Sequence, residues 1–356
     1  MKLQQLGWAD PFETALAALN DPRLSPARVT AAQREHHRLI SEHGVFDAQL
    51  SGKLRHEARA GELPVVGDWV AAHLRPDEGS ATIAACLPRR SALVRKRPER
   101  SSAPQVLAAN LDVVLLVTSL NRDFNPRRIE RTLAVIWEGG AQPVVLLSKL
   151  DLCAEAASYR EQAEAVALGV PVHAVSARSG EGLAELARYL QPACTLALIG
   201  SSGVGKSTLV NALLGRDQLA TSDVRTSDDR GRHTTTHREL FVLPGGALLI
   251  DTPGLRELGL WDAGEGLDAA FEDVDALAER CRFGDCGHDS EPGCAIQAAL
   301  QDGTLDGERY ASYVKLQREV AYEERRRDPQ ALLEYRQQTR RVFRARKRML
   351  RRGPKK

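Results

Sequence analysis

A multidomain α/β chain is predicted, on three observations. Residues 35–100 form a series of short β-like pieces separated by turn signals. Residues 101–262 alternate apolar strands with helices, and residues 263–356 hold a cysteine–histidine cluster followed by a long Arg-rich stretch. Closely spaced short strands point to a small β-barrel, and strand–helix alternation to a largely parallel sheet covered on both faces. The cluster points to a metal-stapled helical domain. A chain of 356 residues has room for two or three domains, each with its own core.

Residues 1–34 read as a helical N-terminal extension with a short amphipathic helix. The first residues lack a long apolar core and carry Asp10 and Glu13, so they do not read as a secretory signal. No apolar run approaches the roughly 20 residues of a membrane span. The expectation is a cytoplasmic protein without membrane attachment. Six cysteines in that setting argue for metal ligands or free thiols rather than disulfides. Cys86, Cys153 and Cys194 are isolated and read as small packed residues.

The barrel pieces are VFDAQL, LPVVGDWVAAHL, ATIAACL and SALVRK, with Arg89, Arg90, Arg95, Lys96 and Arg97 clustered as a basic rim. A small barrel with such a rim is suited to nucleic acid. Beyond it, LDVVLLVTSL, PVVLLSKLDL, VPVHAVSA, TLALIG, ELFVLP and ALLIDTPG are strand candidates, with helices expected over about 126–138, 154–168 and 182–190. Helices are also expected over 267–279, 295–300 and from Glu308 onward. Residues 313–356 carry 16 Lys/Arg against 5 Asp/Glu, a net of +11, which leaves −9 for the rest of a chain whose formal charge is +2. An acidic body with a basic tail suggests a polyanionic partner.

Residues 200–208, GSSGVGKST, fit the phosphate-loop pattern G-x-x-x-x-G-K-[ST] between an apolar strand and a helix. Glycines let backbone N–H groups converge on phosphate oxygens, and the helix N-terminus adds a positive dipole end. The loop thus supplies Gly200, Ser201, Ser202, Gly203, Val204, Gly205, Lys206, Ser207 and Thr208. Lys206 would reach the β- and γ-phosphates, and Ser207 would ligate Mg²⁺. Asp251, at the end of ALLID, is a second Mg²⁺ contact, and the Gly254 N–H can meet the γ-phosphate. Ser148-Lys149-Leu150-Asp151 looks like the [NT]-K-x-D guanine-recognition motif, with Ser148 where Asn or Thr is usual. Ser176-Ala177 resembles the S-A motif whose backbone meets guanine O6. Base motifs therefore precede the phosphate loop, the reverse of ordinary GTPases, so a circular permutation is expected. A parallel sheet tolerates one because its strand-end loops hold the ligand whatever their chain order. In the polar stretch 217–240, one of Thr234, Thr235 and Thr236 should bind Mg²⁺ and the γ-phosphate, with Thr235 the choice. Leu255 stands where many GTPases carry a water-positioning glutamine, and His233 is the nearest substitute. Cys281, Cys286, His288 and Cys294 form C-x₄-C-x-H-x₅-C, a closed tetrahedral set for one structural Zn²⁺.

Together the motif order, GSSGVGKST, GRHTTT, the zinc cluster and the phrases VVGDWV, LPRRS and AANLD resemble the bacterial ribosome small subunit-dependent GTPase A family. The resemblance runs from about residue 35 over nearly the whole chain. It implies an OB-type β-barrel, a circularly permuted P-loop GTPase domain and a C-terminal helical zinc-binding domain. It further implies a cytoplasmic factor, read here as a monomer, that binds the 30S subunit and its 16S rRNA late in maturation. Its GTP hydrolysis would be stimulated by the subunit, with His233, Lys206 and Thr235 as catalytic residues. Two classes stay open: a nucleotide-gated module for another RNA, and an ATPase if Asp151 does not face the base.

Overall fold

The computed structural model describes residues 1–33, 36–59, 61–96, 104–121, 124–215, 238–251, 264–289 and 291–327. They form two compact units, one of Met1–Gly259 with Glu265–Glu272 and one of Leu260–Gly264 with Asp273–Lys356.

The first unit opens with a 3₁₀ turn, Leu3–Leu6, and helix α1, Asp10–Ala17, which begins on Asp10-Pro11. Five strands follow: β1 Ser25–Ala32, β2 His37–Ser41, β3 Gly44–Leu50, β4 Trp69–Arg75 and β5 Ser80–Cys86, with helix α2, Gly52–Glu57, between β3 and β4. They pair in the order β1-β2-β3-β5-β4 and close through β1–β4, with β3–β5 parallel and the other pairs antiparallel. The small β-barrel expected is present, closed and five-stranded, but it starts earlier. Residues 25–32, assigned from sequence to the helical extension, are its first strand. The misreading has a physical origin: SPARVTAA is poor in large apolar residues, because small Ala27 and Val29 fill the barrel side and the charged Arg28 is the buried residue on the other. Ala27 and Val29 face the interior with Leu39, Phe46, Ala48, Val70, Ala72, Ala81 and Ile83. Arg28 and its partner across the strands, Trp69, face outward under Leu6, Trp8 and Phe12. The Trp8 and Trp69 rings meet edge-on at 4.7 Å.

SALVRK is not part of the barrel. It is β6, Ala92–Lys96, which pairs with β7, Pro104–Ala109, in a separate two-stranded sheet. The basic rim is also partly consumed. Arg89 grips the buried carboxylate of Asp68 at 2.7 and 2.8 Å and the carbonyls of Gly61 and Leu63. Arg90 lies over Phe12 and pairs with Asp112 at 3.3 Å.

Six further strands make the second sheet region: β8 Val113–Ser119, β9 Gln142–Ser148, β10 Val172–Val175, β11 Thr195–Ile199, β12 Glu239–Val242 and β13 Leu248–Asp251. Their order is β10-β9-β8-β11-β13-β12, all parallel except β12. Strands β8 and β11 are buried along their whole lengths, as continuous Val/Leu/Ile runs require in a sheet covered on both faces. Helices α3 Pro126–Glu138, α4 Ala156–Val166 and α5 Lys206–Leu214 follow β8, β9 and β11. The helix expected over 182–190 is a 3₁₀ stretch, Leu183–Arg188. A single pair, Ala31 with Glu239, joins β12 to barrel strand β1. The junction is reinforced by Arg28, whose guanidinium donates to the carbonyls of Leu6, Gly67 and Asn110 and to Thr195 Oγ1. Burial, with the nearby Arg90 charge, lowers its pKa to about 10 against the opposing pull of Asp112 and Asp68. Helix α6, Gly264–Ala270, approaches α3 so closely that a Cβ at Gly266 would stand 2.0 Å from the Ala134 carbonyl.

The second unit holds most of α7, Glu272–Ala278, then α8, Ala295–Asp302, and the start of the long tail helix, α9, Gly307–Arg327. Arg309 on α9 forks onto Asp273 at 2.6 and 2.8 Å, and Tyr313 Oη donates to Asp275 at 2.6 Å. The arginines beyond position 327 lie outside the described residues.

Candidate functional site

The site is built at the carboxyl ends of the parallel strands, where open α/β sheets bind ligands. Strand β11 is central, and its last residue runs into Gly200. There φ is +149° and a Cβ would stand 2.2 Å from the Val117 carbonyl, so only glycine lets the chain leave the sheet this way. Gly205, at φ +94°, turns the chain into α5 as its N-cap. Between them Ser202 and Gly203 are exposed, and Val204 is buried. Lys206 folds back over the loop, its Nζ donating to the carbonyls of Gly200 and Ser201, each at 2.7 Å. Ser207 and Thr208 lie half-buried in the first turn of α5.

The Ser148 motif stands at the end of β9. Its hydroxyl donates to the Val204 carbonyl at 2.6 Å and lies 3.2 Å from the Thr118 carbonyl. The serine that departs from the usual Asn or Thr therefore braces the phosphate loop directly. Lys149 holds a left-handed backbone, φ +65°, which costs a non-glycine residue about 1–2 kcal/mol and turns the chain into the 3₁₀ stretch Leu150–Leu152. Asp151 is exposed and accepts from Ser176 Oγ at 2.7 Å. That oxygen in turn accepts from the N–H groups of Arg178 and Ser179 at 3.3 and 3.1 Å. The two base motifs, 25 residues apart, are thus tied to one another, and Ala177 packs against the core beneath. Asp251 ends β13, buried, level with Leu198 of β11. Ser207 and Asp251 so occupy neighbouring strand-end elements, an oxygen donor set suited to Mg²⁺. His233, Thr234, Thr235, Thr236, Gly254 and Leu255 lie outside the described residues.

One residue escaped the sequence reading. Arg128, in the first turn of α3, donates from Nη1 to Ser201 Oγ at 2.7 Å. A signal was present: that turn has no acidic residue, although a helix N-terminus favours them.

The second unit carries the metal cluster. The donor atoms of Cys281, Cys286, His288 and Cys294 all lie within 4.8 Å of one another. Cys281 Sγ and Cys294 Sγ are 3.9 Å apart, and His288 Nδ1 lies 3.6 and 3.5 Å from them. Zinc bond lengths set about 3.8 Å for a sulfur–sulfur edge of a tetrahedron and about 3.6 Å for a nitrogen–sulfur edge, so the donor set fits the ion. Burial raises the Cys281 thiol pKa, but the backbone N–H groups of Ala295 and Ile296, together with the Cys294 and Cys286 thiols, outweigh it and hold the group below its ordinary range. The Gln297 side chain donates to the His288 carbonyl at 2.6 Å and fixes the turn.

Comparison with known proteins adds the lineage. The model of the RsgA GTPase family matches residues 86–261. The small ribosomal subunit biogenesis GTPase RsgA of Opitutus terrae is 50% identical over 92% of both chains, and that of Syntrophotalea carbinolica 48% identical over 90% of both. Among solved structures, YjeQ from Thermotoga maritima superposes with a TM-score of 0.62 at 27% identity, over 84% of this chain and 99% of its own. YloQ, described as a circularly permuted GTPase, shares the fold with a TM-score of 0.61 at 24% identity, over 84% and 96%.

Proposed function

The chain belongs to the RsgA GTPase family and is a GTP hydrolase, and on that premise we propose that it acts on the 30S ribosomal subunit late in its assembly. The observation that carries the site assignment is the bracing of base motif to phosphate loop through Ser148 and Val204, with Asp151 and Ser176 joined alongside. In this reading Asp151 accepts from guanine N1–H and N2–H₂, and the Ala177 N–H meets O6. Adenine offers neither pattern. The 200–208 loop wraps the phosphates, Lys206 leaves its two carbonyl partners for phosphate oxygens, and Ser207, Thr235 and Asp251 would hold Mg²⁺. When bound, that ion neutralises charge developing on the β- and γ-phosphates. Leu255 cannot orient water, so His233 does so on the bound subunit, which makes the isolated protein a slow enzyme.

The remaining assignments belong to the same proposal. One Zn²⁺ on Cys281, Cys286, His288 and Cys294 is structural, since four protein ligands leave no open position. The domains are a barrel starting at residue 25, a permuted GTPase domain to about 262, and a zinc domain with a basic tail. The barrel and tail contact 16S rRNA, and the protein works as a monomer in the cytoplasm. No helix among the described residues is long and apolar enough to cross a membrane.

Co-sedimentation tests the reading. The protein with a non-hydrolysable GTP analogue should pellet with 30S subunits and not with 50S subunits or tRNA, and GDP should release it. Turnover should rise on adding 30S subunits, and excess ATP should not compete. Equal binding to all three RNAs, or effective competition by ATP, would overturn it.

A further inference from the structure

We propose that Arg128 is a positioning residue for the phosphate loop, holding its leading turn from outside through the Ser201 hydroxyl. The inference rests on the nucleotide-binding reading of that loop and adds a residue from a different helix to it. Packing does not hold the loop's outer half. Ser202 and Gly203 are exposed, and a Cβ at Gly203 or at Gly205 would meet no atom within 4 Å. Hydrogen bonds must therefore fix its shape. Lys206 Nζ holds the carbonyls of Gly200 and Ser201, Ser148 holds that of Val204, and Arg128 holds the Ser201 side chain at 2.7 Å. Lys206 leaves its carbonyls when it takes phosphate oxygens. The grip of Arg128 is on a side chain, so it can persist with nucleotide bound.

The element that carries Arg128 is rigid. Asn125 caps α3 by accepting from the Arg128 N–H at 3.2 Å, and Pro126 sets the first turn. Ile129, Leu133 and Ile136 are buried. An arginine in that turn opposes the helix dipole. Arg127 is compensated by the buried Glu130 at 2.9 Å, and Arg128 by the hydroxyl of Ser201 among its partners. A guanidinium stays protonated at any working pH, so the contact is a constant charge-assisted bond. Restraining Ser201 restrains the peptide planes on either side of it, and those planes carry the N–H groups that the phosphates need. The same positive charge stands at the loop's mouth when an anionic polyphosphate arrives.

The test is dissociation of a fluorescent GDP from the full-length protein, followed by stopped flow, with urea unfolding of each variant alongside. Arg128→Ala and Ser201→Ala should each speed release by about tenfold, the loss of one charge-assisted bond. The double variant should be no faster than Arg128→Ala alone, because both changes break one contact. Arg128→Lys, which can still donate to the hydroxyl, should fall between. The unfolding midpoints should stay with the wild type. Effects that multiply in the double variant, an unchanged release rate, or faster release only in step with lost stability would overturn the inference. Wild type and Lys206→Ala separate this failure from the larger one. If wild type binds no guanine nucleotide, both readings fall. If it binds and Lys206→Ala does not, while Arg128→Ala releases normally, only the role of Arg128 falls.

Discussion

Replacing Ser148 with alanine should weaken guanine-nucleotide binding while leaving the sheet intact. Ser148 ends β9, and its hydroxyl has one proton to give. The Val204 carbonyl at 2.6 Å takes it in preference to the Thr118 carbonyl at 3.2 Å. Alanine removes the donor and leaves the Val204 carbonyl facing a methyl group. A buried acceptor that loses its partner costs about 1–3 kcal/mol. The strands on either side are fixed in their ladders, Ser148 against both Ser119 and Val175, whereas the loop ahead of Val204 is exposed. The loop is thus the part that gives way, and most of the cost falls on the conformation that holds phosphate. At 1.4 kcal/mol per factor of ten, Kd for GDP and GTP should rise by about 5- to 150-fold. Titration with a fluorescent GDP measures this directly, and urea unfolding measures what the sheet loses. Ser148→Thr keeps the hydroxyl and should bind within a few-fold of wild type. A Kd for Ser148→Ala within twofold of wild type, or a loss fully matched by lower global stability, would refute the bracing argument.

Gly200→Ala should fall near the upper end of that range. Real Cβ contacts do not fall below 3.0 Å, so a methyl placed 2.2 Å from the Val117 carbonyl forces the loop or strand to move by about 0.8 Å, and a shift near 1 Å costs about 100-fold in turnover efficiency. The GTPase assay and circular dichroism together check this, since helicity should not change. Elemental analysis should find one zinc per chain. A strong chelator should then melt α8 and lower thermal stability, because the Cys281 and Cys294 sulfurs both accept from N–H groups in the first turn of that helix. His37 predicts an acid-side loss of stability. Its Nδ1 is buried without a hydrogen bond, and burial, with His36 adding to it, lowers its pKa below 6.5 despite the Pro64 carbonyl and Asp68. The unfolded chain binds that proton more readily, so the contribution is complete above pH 6.5 and lost as pH falls through the folded value. Unfolding free energy measured from pH 7.5 to 5.5 should fall less steeply in His37→Leu than in wild type.

The sequence by itself determined the parts that local rules govern. Continuous apolar runs such as DVVLLVTS and TLALIG mark fully buried strands, GSSGVGKST marks the loop that must follow one of them, and C-x₄-C-x-H-x₅-C has one coordination geometry that satisfies it. Motif order alone exposed the permutation, because strand-end loops keep their chemistry in any chain order. Tertiary structure decided what depends on partners distant in the chain. SPARVTAA was placed in the helical extension; it is a barrel strand, and Arg28 within it finds carbonyls and a hydroxyl from residues 6, 67, 110 and 195. The basic rim looked free until Asp68 and Asp112 claimed Arg89 and Arg90. Ser148 looked like a weak substitution, and its worth came from a carbonyl 56 residues later. The acid-free first turn of α3 hinted at Arg128, but its partner, 73 residues away, could not be read from the sequence for the same reason. Periodicity and spacing report what a residue does to its own element, and a hydrogen bond between elements exists only once the sheet has brought their ends together.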